Sequence, residues 1–214
     1  MFTTLIPLLF AFKGSRFSLL HQILFFHFSV GFLLDVITFC IYFFYDENSY
    51  WLTPFYYANF FGVVSYFLFK STNIVLLKRA LPWIIAVGLV VLFLRVFWFI
   101  GLTKYDAQAW FGIQVYFICL HIIIMRKELF KLNITPFRNP FFLISAGFII
   151  GCVFPLISGL LQYKLYETSP DYFQISLIIL NLSFVVANLI IGRGIYLLRP
   201  TSSPKPSPPL RGLS

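Results

Sequence analysis

The chain has 214 residues, of which 60% are hydrophobic, 21% aromatic and only 11% charged, with a formal net charge of +9 and a mean hydropathy of +0.89. An ordinary soluble domain is about one quarter charged, so there is too little polar material here to cover a water-facing surface, and lipid is the expected solvent. The basic excess is scattered between apolar runs instead of forming one face, which argues against nucleic acid as a partner and for membrane topology.

Seven apolar segments follow one another: 1–12, 17–45, 52–72, 81–102, 107–125, 140–163 and 172–198. They predict an all-α, polytopic transmembrane bundle of seven helices over residues 1–198, with a separate tail at 199–214. Met1 to Phe12 lacks a basic n-region and a small-residue cleavage pattern, so it does not read as a signal peptide. Its twelve residues reach about 18 Å as a helix, against a hydrocarbon core of about 30 Å. It is either a tilted or truncated first span with the N-terminus outside, or a re-entrant or interfacial segment that leaves six spans. Seven is the reading adopted, and both alternatives give every later loop the same side. The other segments all have the roughly 17 residues that a span needs. Tyr42, Tyr45, Tyr50, Trp51, Tyr56 and Tyr57 surround one loop, and Trp98, Tyr105 and Trp110 another, as interfacial belts do. The tail carries Pro200, Pro204, Pro206, Pro208 and Pro209 among serines, a composition expected to be disordered.

Loop charge predicts the orientation. The loops 13–16, 70–79 and 126–139 and the stretch from Arg193 onward hold 13 cations against the single acid Glu128. The alternate loops 46–51, 103–106 and 164–171 hold Asp46, Glu47, Asp106, Glu167 and Asp171 against Lys104 and Lys164. The positive-inside rule puts the basic set and the C-terminus in the cytoplasm.

Only Asp35 and Arg95 remain as charges inside spans. Both lie a few residues beyond the midpoints of segments that run in the same direction, so they should sit at nearly equal depth, and a buried Asp35–Arg95 ion pair is predicted. Helical spacing adds polar stripes: His27, Gly31, Asp35 and Thr38 on the second segment, and Asn59, Gly62, Tyr66 and Asn73 on the third. Gln114 with His121 and Asn181 with Asn188 repeat the pattern at seven-residue spacing. By depth, Asp35, Asn59, Arg95, Gln114 and Asn181 form an outer cluster, and His27, Tyr66, His121 and Asn188 an inner one. Such groups serve either as interhelical hydrogen-bond glue or as the lining of a ligand cavity. The sixth segment carries Gly147, Gly151, Pro155 and Gly159 at four-residue intervals, a smooth face for close packing that the proline would loosen locally.

No cofactor or metal is expected. His27 and His121 lack a CxxCH motif or clustered carboxylates, His21 lies near the cytoplasmic interface, and Cys40, Cys119 and Cys152 read as small buried thiols. No HExxH, GxSxG or phosphate loop occurs, the spans hold one carboxylate, and the seventh has no lysine for a Schiff base, so a non-enzymatic role is expected.

The run Arg138-Asn139-Pro140-Phe141-Phe142-Leu143-Ile144-Ser145 opens the sixth span after a basic loop, and Asn188-Leu189-Ile190 precedes the basic exit at Arg193. In these features the chain resembles small bacterial seven-helix membrane proteins and the membrane-sensing regions that precede some histidine kinases. That resemblance implies a bacterial cytoplasmic membrane and a sensing or accessory role. Where a kinase would begin, after Arg199, there is only the short proline-rich stretch, so output would pass through a membrane or cytoplasmic signalling partner. Three functions follow in order: a sensor or accessory bundle for a small or lipid-like ligand, a transporter or channel subunit, and an assembly factor. A dead-end outer pocket would favour the first, a through-going polar path the second and a dry core the third.

Overall fold

A computed structural model describes residues 3–12, 18–45, 49–101, 106–130 and 135–198, with the side chains of 99–100, 161–168 and 170 left aside. The described residues form an all-α bundle of seven helices with no strand. They are α1 (Leu5–Phe12), α2 (Leu19–Tyr45), α3 (53–71), α4 (75–100), α5 (Ala107–Leu129), α6 (Pro140–Thr168) and α7 (Pro170–Leu197). Helices α2, α4, α5, α6 and α7 are each long and apolar enough to cross a bilayer. The protein is therefore a multi-spanning integral membrane protein.

Helix α1 is eight residues long, about 12 Å. It packs against α2 and α7. His21 Nε2 lies 3.1 Å from the Ala11 carbonyl oxygen near the end of α1, a side-chain partner of the kind that exposed terminal carbonyls require. The proline-rich tail 199–214 lies outside the described residues, as do Lys13, Arg16, Asp46, Glu47, Lys104 and Lys131.

Helices begin and end where the local chemistry dictates. Gly101 closes α4 at φ +79°, a left-handed conformation that other residues adopt only with strain. Asp106 caps α5 by accepting the Ala109 N–H at 3.0 Å. Asn139 caps α6 by accepting the N–H groups of Phe141 and Phe142 at 3.0 and 3.2 Å, while its amide donates to Glu128 at 2.8 Å. Pro140, with no N–H to lose, stands at the first helical position. Helix α4 starts at Val75, ahead of the apolar boundary at residue 81, so Lys78 and Arg79 ride on a helix that continues past the hydrocarbon.

Lipid removes most of the hydrophobic drive between helices, so cohesion rests on close packing and interhelical hydrogen bonds. Helices α6 and α7 run antiparallel at short range. A Cβ at Gly147 would fall 2.4 Å from Ile191 Cγ1 and 2.8 Å from the Ala187 oxygen, and one at Gly194 would fall 2.6 Å from Ile144 Cγ1 and 3.0 Å from the Pro140 oxygen. The expected glycine face is thus used for packing at Gly147, whereas Gly159 meets nothing within 4 Å. Between these helices and α2, α3 and α5 lies a core that includes Leu24, Val64, Phe67, Leu68, Phe117, Ile144 and Ile195. The cysteines do not behave alike: Cys152 is buried, Cys40 half-buried and Cys119 exposed on the outer face of α5.

Candidate functional site

The predicted stripe on α3 fails after its first member. Residues Asn59–Val63 form a π turn within the helix, which holds one more residue than an α turn and rotates everything that follows. The buried positions that follow are Phe61, Val64, Ser65, Phe67 and Leu68, while Gly62 is half-buried and Tyr66 and Asn73 are exposed. Tyr66 is consequently exposed, with the Lys70 ammonium 5.3 Å from its ring centre. It leaves the inner cluster in which the sequence pattern put it.

The predicted Asp35–Arg95 ion pair is not formed. The Arg95 guanidinium binds both carboxylate oxygens of Asp106 and donates to Gln108 Oε1 at 2.7 Å. Asp35 instead accepts hydrogen bonds from Thr4 Oγ1 and the Tyr56 hydroxyl, each at 3.0 Å. Adjacent tyrosines on α3 account for the separation. Tyr56 reaches Asp35 on α2, while the Tyr57 hydroxyl donates to the Asp106 carbonyl at 2.7 Å. Consecutive helical residues point about 100° apart, so the two charges share a level of the bundle on different sides of α3. Burial would raise the Asp106 pKa, but the Arg95 guanidinium and the α5 backbone N–H groups outweigh it and hold the carboxyl below its ordinary range. Sequence reading took Asp106 for a loop charge. Its position one residue before an apolar helical run was the available cap signal.

What does assemble around Asp35 is a cavity of about 320 Å³ between α1, α2, α3, α6 and α7, with Trp110 of α5 on its wall. Asp35, Thr4, Tyr56 and Asn181 line it together with Asn59, His27 and Asn188. Asn59 and His27 are locked to each other: the Asn59 amide donates to the His27 carbonyl at 3.1 Å, and its oxygen lies 3.3 Å from His27 Nδ1. Asn188 is only 8% exposed. Asn181 is exposed and donates to the Leu177 carbonyl of its own helix at 2.9 Å. The remaining wall is apolar and aromatic, with Phe28, Phe60, Phe148 and Phe184 beside Gly31, Gly147, Gly151 and Ala187. Trp110, expected in an interfacial belt, stacks on Tyr57 at 5.5 Å and faces inward.

The cavity thus unites members of both predicted clusters: Asp35, Asn59 and Asn181 from the outer, His27 and Asn188 from the inner. Arg95, Gln114 and His121 do not line it. His121 is buried on the other side of Phe148, stacked on that ring at 4.9 Å and 3.2 Å from Ser145 Oγ. Gln114 is 1% exposed, and its amide nitrogen has no partner among the described residues. No group of three His, Cys, Asp or Glu able to hold a metal occurs among the described residues.

Chemically, the described residues of the site offer one carboxylate, several carboxamides and a set of aromatic rings, with no lysine or arginine among them. Compared with family models, with curated proteins and with solved structures, the chain matches none.

Proposed function

We propose that this protein is a non-enzymatic sensor or accessory bundle that takes a small, partly apolar ligand into the cavity between α1, α2, α3, α6 and α7. The observation that carries the reading is the cavity itself. Its volume of about 320 Å³ lies within the range of about 300–1,000 Å³ typical of small-molecule sites, and an apolar wall with a few convergent polar groups is the usual make-up of such sites. Towards the basic end the cavity gives way to the packed layer of Leu24, Phe67, Ile144 and Ile195, each no more than 2% exposed. A dead end of this kind supports binding over transport.

Loop charge supports an orientation with the cavity towards the outside and the C-terminus in the cytoplasm. On this reading, and on the resemblance to bacterial sensor regions, the membrane is a bacterial cytoplasmic one. Ligand occupancy would be relayed to a separate signalling partner.

The test is saturable one-to-one binding of small aromatic amphiphiles by the purified protein in uncharged maltoside micelles, followed by saturation-transfer NMR. Gly151→Leu is the cavity-filled control, since a Cβ at Gly151 makes only an ordinary 3.6 Å contact with Ala187 Cβ. Wild type is expected to bind and the variant to bind at least about tenfold more weakly, the equivalent of about 1.4 kcal/mol. Equal binding by both proteins would exclude the cavity as the site.

A further inference from the structure

We propose that the ligand is an organic ammonium ion, its positive charge set against Asp35 and its apolar body against the aromatic wall. This rests on the reading of the cavity as a ligand site and adds the chemical class of the ligand.

Among the described residues Asp35 is the only acidic one lining the cavity, and no lysine or arginine lines it. Among the described residues the one ion pair is Arg95–Asp106, and no described cationic side chain pairs with Asp35. Its two hydrogen bonds come from neutral hydroxyls, Thr4 and Tyr56. A carboxylate has about four lone-pair sites, so these two donors leave acceptor capacity directed at the cavity. An ionised group within a membrane bundle is costly unless a counter-charge or donors meet it. A cation entering the cavity would supply that counter-charge.

The wall suits the same ligand. Phe60, Trp110 and Phe148 present rings to the space, and desolvated aromatic faces attract ammonium groups through their quadrupoles. Asn188, 8% exposed, offers a hydrogen-bonding contact deeper in the cavity. From Asp35 to the level of His27 is eight residues of α2, about 12 Å, enough for a charged head, an apolar middle and a polar far end. An anionic ligand would meet Asp35 with no compensating cation in the lining.

The experiment compares three probes on the protein in maltoside micelles: benzyltrimethylammonium, its uncharged isostere neopentylbenzene, and anionic 3-phenylpropionate. Each is corrected for partition into empty micelles. Wild type is expected to bind the ammonium at least about tenfold more tightly than the isostere, and the anion most weakly. Asp35→Asn should remove that preference while keeping the isostere, and Asp35→Glu should restore part of it. Equal binding of all three by wild type, or a preference undiminished in Asp35→Asn, overturns the ammonium assignment and leaves the cavity reading standing. Binding of none overturns both. The wild-type comparison decides even where a variant does not fold. Competition by short-chain phosphatidylcholine separates a lipid headgroup as the source of the ammonium from a free amine: displacement identifies the headgroup, and its absence the free cation, the ammonium chemistry being supported in either case.

Discussion

Replacing Gly147 by alanine adds one methyl group where α6 and α7 approach most closely. The new Cβ would lie 2.4 Å from Ile191 Cγ1, which a rotamer change can relieve, and 2.8 Å from the Ala187 oxygen, which is backbone. Relief at the oxygen requires the helices to part by roughly 0.6 Å, the shortfall from an ordinary 3.4 Å contact to 2.8 Å. Overpacking of this kind costs about 1–3 kcal/mol. Alanine also gains about 0.5–1 kcal/mol over glycine in a helix, so the comparison must hold that gain constant. Gly159→Ala on the same helix does so, because its Cβ meets nothing within 4 Å. The assay is SDS titration in mixed micelles, read by circular dichroism. Gly147→Ala should unfold with about 1–3 kcal/mol less stability than Gly159→Ala. Variants within about 0.5 kcal/mol of each other would refute the claim that backbone contact at Gly147 limits how closely the two helices sit.

The ion-pair assignment is open to double-mutant cycles. Arg95→Met with Asp106→Asn should show a coupling of about 1 kcal/mol, a modest figure because the Arg95 side chain is 35% exposed although Asp106 is 4% exposed. Arg95→Met with Asp35→Asn should show none, and a larger coupling there than at Asp106 would restore the pairing drawn from depth. The lowered Asp106 pKa makes its contribution acid-sensitive in a defined sense. A depressed folded-state pKa gives stability that is complete above the ordinary value of 3.8 and is lost as pH falls through the lower folded value. The stability difference between wild type and Asp106→Asn should therefore hold from neutral pH down to the region of 3.8 and shrink only below it; a gap that closes by pH of about 6 would contradict the pairing. For orientation, with Cys40, Cys119 and Cys152 replaced, a cysteine at Ser49 should react with an impermeant maleimide added to intact cells, and one at Ser203 should react only after permeabilisation. The reverse pattern would invert the topology.

Spans were legible because a 30 Å apolar layer demands about 20 apolar residues, and that demand is written into composition. Asp35 and the Arg95–Asp106 pair are linked to adjacent residues of α3, Tyr56 and Tyr57. What a hydropathy profile lacks is azimuth, the knowledge of which helix stands between two residues at equal depth. Here α3 stands between them, and each charge found a nearer partner. The α3 stripe failed for a local reason. A π turn adds one residue to a single helical turn, and nothing in Asn59-Phe60-Phe61-Gly62-Val63 announces it at the level of periodicity. Trp110, an aromatic residue at a helix start, also lines the cavity, a contact that its sequence position does not announce. Helical spacing on α2 and α7 does place His27, Asp35, Asn181 and Asn188 along one cavity, whereas Thr38 of the α2 stripe does not line it.

The weakest segment of the sequence turns out to shape the strongest feature of the structure. Helix α1 is too short to line the bundle from end to end, and it is fixed between α2 and α7. Near its C-terminal end Phe10 lies where a Cβ on Gly192 would fall 2.5 Å from its ring, and His21 holds the Ala11 carbonyl. At its other end Thr4 bonds to Asp35 and borders the cavity. Of this segment, Thr3 and Thr4 are the described residues that border the cavity. The opposite wall cannot move in to close the gap, because α6 and α7 already touch through Gly147 and the Ala187 backbone. Gly31, Gly151 and Ala187 add no bulk where the space lies. The backbone-limited helix pair and the small side chains beside it therefore hold this side of the cavity open by packing.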